Sequence, residues 1–74
     1  MNYKNIDISK VGMKIRKARE EKGLTQQQLA EECRFAVKTI SQIELNKNIP
    51  TLINLNIICK ALNVRLENIL YKGE

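Results

Sequence analysis

Two short helical patterns with three residues between them constrain this chain more than any other feature. They lie in the stretch Gln26–Leu45, QQQLAEECRFAVKTISQIEL. Thr25 is placed to cap the first helix, and Gln28, three residues on, completes a capping box. That helix is expected over Gln26–Cys33, with Leu29, Ala30 and Cys33 along one side. Arg34, Phe35 and Ala36 form the bend. The second helix is expected over Val37–Leu45, turning Ile40, Ile43 and Glu44 inward. Two short helices joined by so tight a bend have the dimension of a helix-turn-helix, whose second helix can enter a DNA major groove.

With 74 residues the chain is one domain, near the lower size limit for a self-supporting core. Its formal net charge is +5, which suits a polyanionic partner, either nucleic acid or a membrane surface. No apolar run is long enough to span a bilayer and the start does not read as a signal peptide, so a cytoplasmic location is expected. A membrane-surface peptide would need a continuous basic amphipathic helix with an aromatic anchor, and none is present. Cys33 and Cys59 fit no metal-ligand spacing, and the sequence contains no His. Both fall on apolar helix faces and read as buried free thiols. No nucleophile and base cluster together, so no enzyme, metal or cofactor is expected.

The rest of the chain reads as three more helices. Residues 1–8 show no period and are expected to form a flexible arm. Ile6 or Ile8 could rest on the core, and Lys4 or Lys10 could meet a phosphate or simply be solvated. The first helix is expected from about Ser9 to Lys22, with Val11, Ile15 and Ala18 at a helical period and Lys14, Arg16 and Lys17 in solvent. Gly23 supplies its left-handed stop. Asn46 stops the helix-turn-helix, and Thr51 caps a fourth helix over Leu52–Leu62 whose core face carries Leu52, Leu55, Ile58, Cys59 and Leu62. Asn63 ends it. A fifth short helix carries Leu66, Ile69 and Leu70, starting after Arg65, which is no cap. Residues 72–74 are a tail.

Several spaced strings go beyond a bare helix-turn-helix: VGMKIRKAREEKGLTQQQLAEEC, KTISQIELNKNIPTL and ICKALNV. On these the chain resembles the Cro/repressor-type (lambda-repressor-like, XRE) helix-turn-helix family from about Val11 to Leu70. The resemblance implies an all-α, compact five-helix lambda-repressor-like DNA-binding domain over residues 9–71. It also implies that Arg19 pairs with Glu44, tying the first helix to the recognition helix. Two positions depart from the family. Arg34 stands where Gly is usual, because the backbone there tends to be left-handed. Ala36 stands where a Ser or Thr cap is usual.

With Ile40 set toward the core and about 100° per residue, Ala36 and Ile43 fall inward. Lys38, Ser41, Gln42 and Leu45 face out, with Val37 and Thr39 at the borders. Lys38 can donate to guanine, Gln42 can bond adenine in a bidentate way, and Val37 can touch a thymine methyl. Gln26 and Gln27, at the start of the second helix, are candidates for phosphate, helped by free backbone N–H groups and the helix dipole. Asn46 and Lys47 match the family's second backbone-contacting segment. Ile53 and Ile57, at i and i+4 and roughly opposite the core face of the fourth helix, are expected to join Leu66, Ile69 and Leu70 in a homodimer interface. The partner is then double-stranded DNA and the function transcriptional regulation, most simply repression. The alternative is an antitoxin-type or other protein-interaction module on the same fold, with a protein partner.

Overall fold

The computed structural model describes residues 6–71. A 3-10 turn at Ile8–Lys10 leads into α1 (Val11–Glu21), followed by α2 (Gln26–Cys33), α3 (Val37–Glu44), α4 (Leu52–Leu62) and α5 (Leu66–Leu70). Local chemistry sets these limits. The Thr25 side chain accepts from the Gln28 backbone N–H while Gln28 Oε1 accepts from the Thr25 N–H, which closes the capping box on α2. Thr51 accepts from the Asn54 N–H at 3.1 Å and starts α4. Left-handed residues follow the first four helices: Gly23 (φ 75), Arg34 (φ 60), Asn46 (φ 59) and Asn63 (φ 56). Glycine takes that conformation without penalty and asparagine with little. Arginine pays about 1 kcal/mol or more. Ala36 heads α3 without any side-chain cap, as expected from its methyl group.

Each amphipathic helix gives one face to a single core of Val11, Ile15, Leu29, Ala30, Cys33, Ile40, Ile43, Leu55, Ile58, Cys59, Leu62 and Ile69. Cys33 and Cys59 are free and buried, and burial pushes both thiols up. One glycine is required by packing. A Cβ on Gly12 would meet the carbonyl oxygens of Ile43 and Glu44 and the side-chain oxygen of Asn46. α1 therefore crosses the end of α3 backbone against backbone, a distance no side chain permits.

Four expectations are corrected. Residues 6–8 are tied down: Ile6 bridges antiparallel to Tyr71, and the Asp7 N–H donates to the Leu70 carbonyl at 2.8 Å. The partner for this extended residue is a single position just past α5, too short to register as a strand. Residues 1–5 of the expected arm, and the tail 72–74, lie outside the described residues. Lys14 does not extend freely into solvent; it is half-buried and its ammonium donates to the Tyr71 carbonyl. Leu52 is 64% exposed, because burial on α4 begins one turn later, at Leu55. Ala36 is exposed because it is an extended cap (φ −67, ψ 145), so the helical phase does not extend to it.

The two local misfits at the bend generate a test. Arg34→Gly and Ala36→Ser should each raise stability by about 0.5–1 kcal/mol, read as a higher denaturant midpoint at unchanged slope. Unchanged or lower midpoints in both variants would contradict this account of the turn.

Candidate nucleic-acid interface

The helix-turn-helix consists of α2, the turn Arg34–Ala36 and α3. Leu29, Ala30 and Cys33 seat α2 on the core, and Ile40 and Ile43 seat α3. Phe35 locks the turn between them. Its N–H donates to the Ala30 carbonyl at 2.9 Å and its ring packs against the core. From the sequence Phe35 is legible only as part of a bend; a large aromatic side chain between Arg34 and Ala36 is the signal of its anchoring role.

With its inner face fixed, α3 presents a polar outer face. Lys38 is exposed, Val37 is 47% exposed, and Thr39, Ser41 and Gln42 are half-buried. Leu45, just past the helix, is also exposed. The resulting stripe combines an ammonium, an amide, two hydroxyls and a valine methyl face, which are the groups that read base edges.

Behind that stripe lies a buried polar cluster. The Arg19 guanidinium donates twice to Glu44, from Nε to Oε2 at 2.6 Å and from Nη2 to Oε1 at 3.1 Å. Its Nη1 donates to the Leu24 carbonyl at 2.7 Å. The Glu44 side chain is 2% exposed. Its hydrogen bond to Glu44 is the chief reason the Arg19 guanidinium is raised above its ordinary range, so it stays charged. Gln26 adds a third donor, Nε2 to Glu44 Oε1 at 3.0 Å. An ionised carboxylate only accepts, which fixes how this amide is turned.

The other expected residues separate into two groups. Gln27, Lys38 and Lys47 are exposed. Gln26 is half-buried, and its side chain leans onto Glu44 instead of projecting freely, with one amide hydrogen left over. Asn46 is occupied in the fold: Oδ1 accepts from the Gly12 N–H at 3.0 Å, and Nδ2 donates to the Ser9 carbonyl. It caps the first turn of α1, which has no cap of its own. Of the expected interface residues, Ile53 is 74% and Ile57 37% exposed. Ile69 is a correction: it is buried in the core, and Leu66 and Leu70 pack half-buried against that core. These three share one face of α5 at i, i+3 and i+4, so the core claims them together. The exposed apolar surface instead includes Ile49 and Leu52, close in sequence to Ile53. Among the described residues, no three candidate ligands converge on a metal site, and no helix is long and apolar enough to cross a membrane.

The family model described as helix-turn-helix matches residues 15–69. The chain belongs to the helix-turn-helix family of the Cro/repressor (XRE) type. Solved structures share its fold. The restriction-modification controller protein C.Esp1396I is 41% identical with a TM-score of 0.73, covering 78% of this chain and 75% of that one. The controller protein C.AhdI from Aeromonas hydrophila is 25% identical with a TM-score of 0.80, covering 85% and 96%. SinR, described as the master regulator for biofilm formation and solved in complex with DNA, is 30% identical with a TM-score of 0.76, covering 80% and 95%. SinR has also been solved in a complex with the SinI protein. No curated protein sequence matches the chain.

In this helix-turn-helix protein the Arg19–Glu44 pair sets how α3 sits on α1. A double-mutant cycle on Arg19 and Glu44 should give a coupling above the ~0–1 kcal/mol of exposed pairs. Either single substitution to an uncharged residue should cost about 3–5 kcal/mol, because the remaining charge stays buried. Coupling near zero would mean the two charges act independently.

Proposed function

We propose that the chain is a sequence-specific, double-stranded DNA-binding transcriptional regulator. It acts as a repressor, occupying its operator as a homodimer with α3 in the major groove. The observation that carries this reading is the polar outer face of α3, held at fixed pitch by the Arg19–Glu44–Gln26 cluster. Lys38 and Gln42 read bases, Val37 touches a thymine methyl, and Thr39 and Ser41 bond base edges or the backbone at the groove wall. Gln27 and the free N–H groups at the start of α2 hold one phosphate strand, joined by the remaining amide hydrogen of Gln26. Lys47 holds the backbone beyond the far end of α3. Family membership, and the controller and regulator roles in the names of its structural relatives, support the reading. So does SinR, which was solved on DNA. The chain carries out no catalysis, needs no cofactor, and works in the cytoplasm.

For the dimer, Ile53 and Ile57 form the centre of the contact, with Ile49 and Leu52 extending it; Leu66 and Leu70 contribute at most their half-exposed edges. A two-fold axis would set two recognition helices about 34 Å apart, one turn of the duplex. A second reading, an antitoxin-type or other protein-interaction role on the same fold, draws support from the SinR–SinI complex.

Lys38→Ala and Gln42→Ala should weaken binding to the preferred site more than to random duplex, by about 1–3 kcal/mol of discrimination each. Lys47→Ala should weaken both equally and reduce the salt slope by about one. Titrations on specific and random duplexes at several salt concentrations check this; equal losses for Gln42→Ala would remove it as a base reader.

Ile53→Lys combined with Ile57→Lys should make the chain monomeric in sedimentation and lower operator affinity, with helical content unchanged in circular dichroism. A native chain that stays monomeric at high concentration and on DNA would contradict the dimer.

A further inference from the structure

The turn ahead of α1 is built onto the loop that follows α3. Asn46, held left-handed at φ 59, places both ends of its side-chain amide on this turn. It accepts from the Gly12 N–H at 3.0 Å and donates to the Ser9 carbonyl. Lys10 lies between those two anchor points. From the other side, Asp7 accepts from the Ser9 N–H at 3.1 Å, and the Asp7 N–H donates to the Leu70 carbonyl. The backbone carrying Lys10 is therefore pinned before and after it, and Gly12 packs against the end of α3 with no room for a Cβ. Lys10 and Lys47 are both exposed; Lys47 follows Asn46 in sequence, and Lys10 lies between the two residues that the Asn46 amide holds. Neither forms an ion pair among the described residues.

We infer that Lys10 is a phosphate-contacting residue of the DNA interface, presented beside Lys47 by Asn46, which acts as a positioning residue and not as a DNA contact. The inference rests on the DNA-binding reading above and deepens it. Both ammonium groups are exposed on segments that Asn46 joins, and a phosphate strand passing the end of α3 supplies an anion that each can meet. Because the turn is already ordered, the contact does not carry the ordering cost of a flexible arm.

The test is the salt dependence of duplex binding for the full chain and five variants. Each phosphate contact adds about 0.9 to the slope of log affinity against log salt, a factor of roughly 3–4 in affinity between 50 and 200 mM. Lys10→Ala should lose one such step on specific and random duplexes alike, and Lys10→Arg should restore it. Lys60→Ala, on the exposed side of α4, should keep the parent slope. Asn46→Gly keeps the left-handed backbone but removes the tie. It should lower the slope, and combining it with Lys10→Ala should lower it by less than the sum. Circular dichroism confirms that each variant is folded. If the parent chain binds DNA and Lys10→Ala keeps the full slope, this inference is overturned while the DNA-binding reading stands. Full additivity of Asn46→Gly with Lys10→Ala would overturn the positioning role of Asn46. A parent chain that does not bind duplex at all would overturn both readings.

Discussion

The Glu44 carboxylate sits where three helices meet and accepts three hydrogen bonds, two from Arg19 on α1 and one from Gln26 on α2. Glu44 itself is the last residue of α3. A carboxylate removed from water is costly, and this cost is offset only while all three donors are in place. The cluster is therefore directional in a way that the surrounding Ile and Leu packing is not. Apolar residues tolerate small rotations of α3 about its axis; a bidentate arginine does not. Since the outer face of α3 carries Val37, Lys38, Ser41 and Gln42, fixing its rotation fixes which of these point outward. The interaction that holds the fold thus also aims the reading surface.

The backbone around α3 is similarly over-determined. Phe35 anchors its entry, Asn46 anchors its exit to the first turn of α1, and Gly12 lets α1 approach to within backbone contact. These anchors explain how the turn accommodates Arg34 and Ala36, two residues that local preference disfavours. The tertiary contacts on both sides hold a left-handed arginine and an uncapped helix start that would not persist in isolation.

Much of this was legible in the sequence, for definable reasons. Helix limits followed from residues with a single strong preference: Thr25 and Thr51 as caps, Gly23, Asn46 and Asn63 as left-handed stops. The core faces of α2 and α3 followed from helical period, and the Arg19–Glu44 pair from family resemblance. What was not legible depends on where an element ends relative to its neighbours. Leu52 has the right phase for the core but lies one turn outside it. The burial of Ile69 is not legible because α5 is too short for its period to distinguish a buried face from a shared one. The pairing of Ile6 with Tyr71 joins opposite ends of the chain through one residue each, a contact without periodicity. Asn46 was read as a helix stop and a DNA-facing polar residue; that its side chain would cap a different helix depends on a crossing that only the fold creates.

Taken together, a small all-helical scaffold holds one helix at a fixed rotation and presents its polar face outward, with lysines at the flanks. The central claim is that this face reads sequence in pairs related by a two-fold axis. Selection of bound duplexes from a randomised pool, followed by sequencing, tests it most directly. The account predicts enrichment of an inverted repeat whose half-sites are centred about 10 bp apart, one helical turn or a multiple of it. A bound pool with the base frequencies of the input would contradict it.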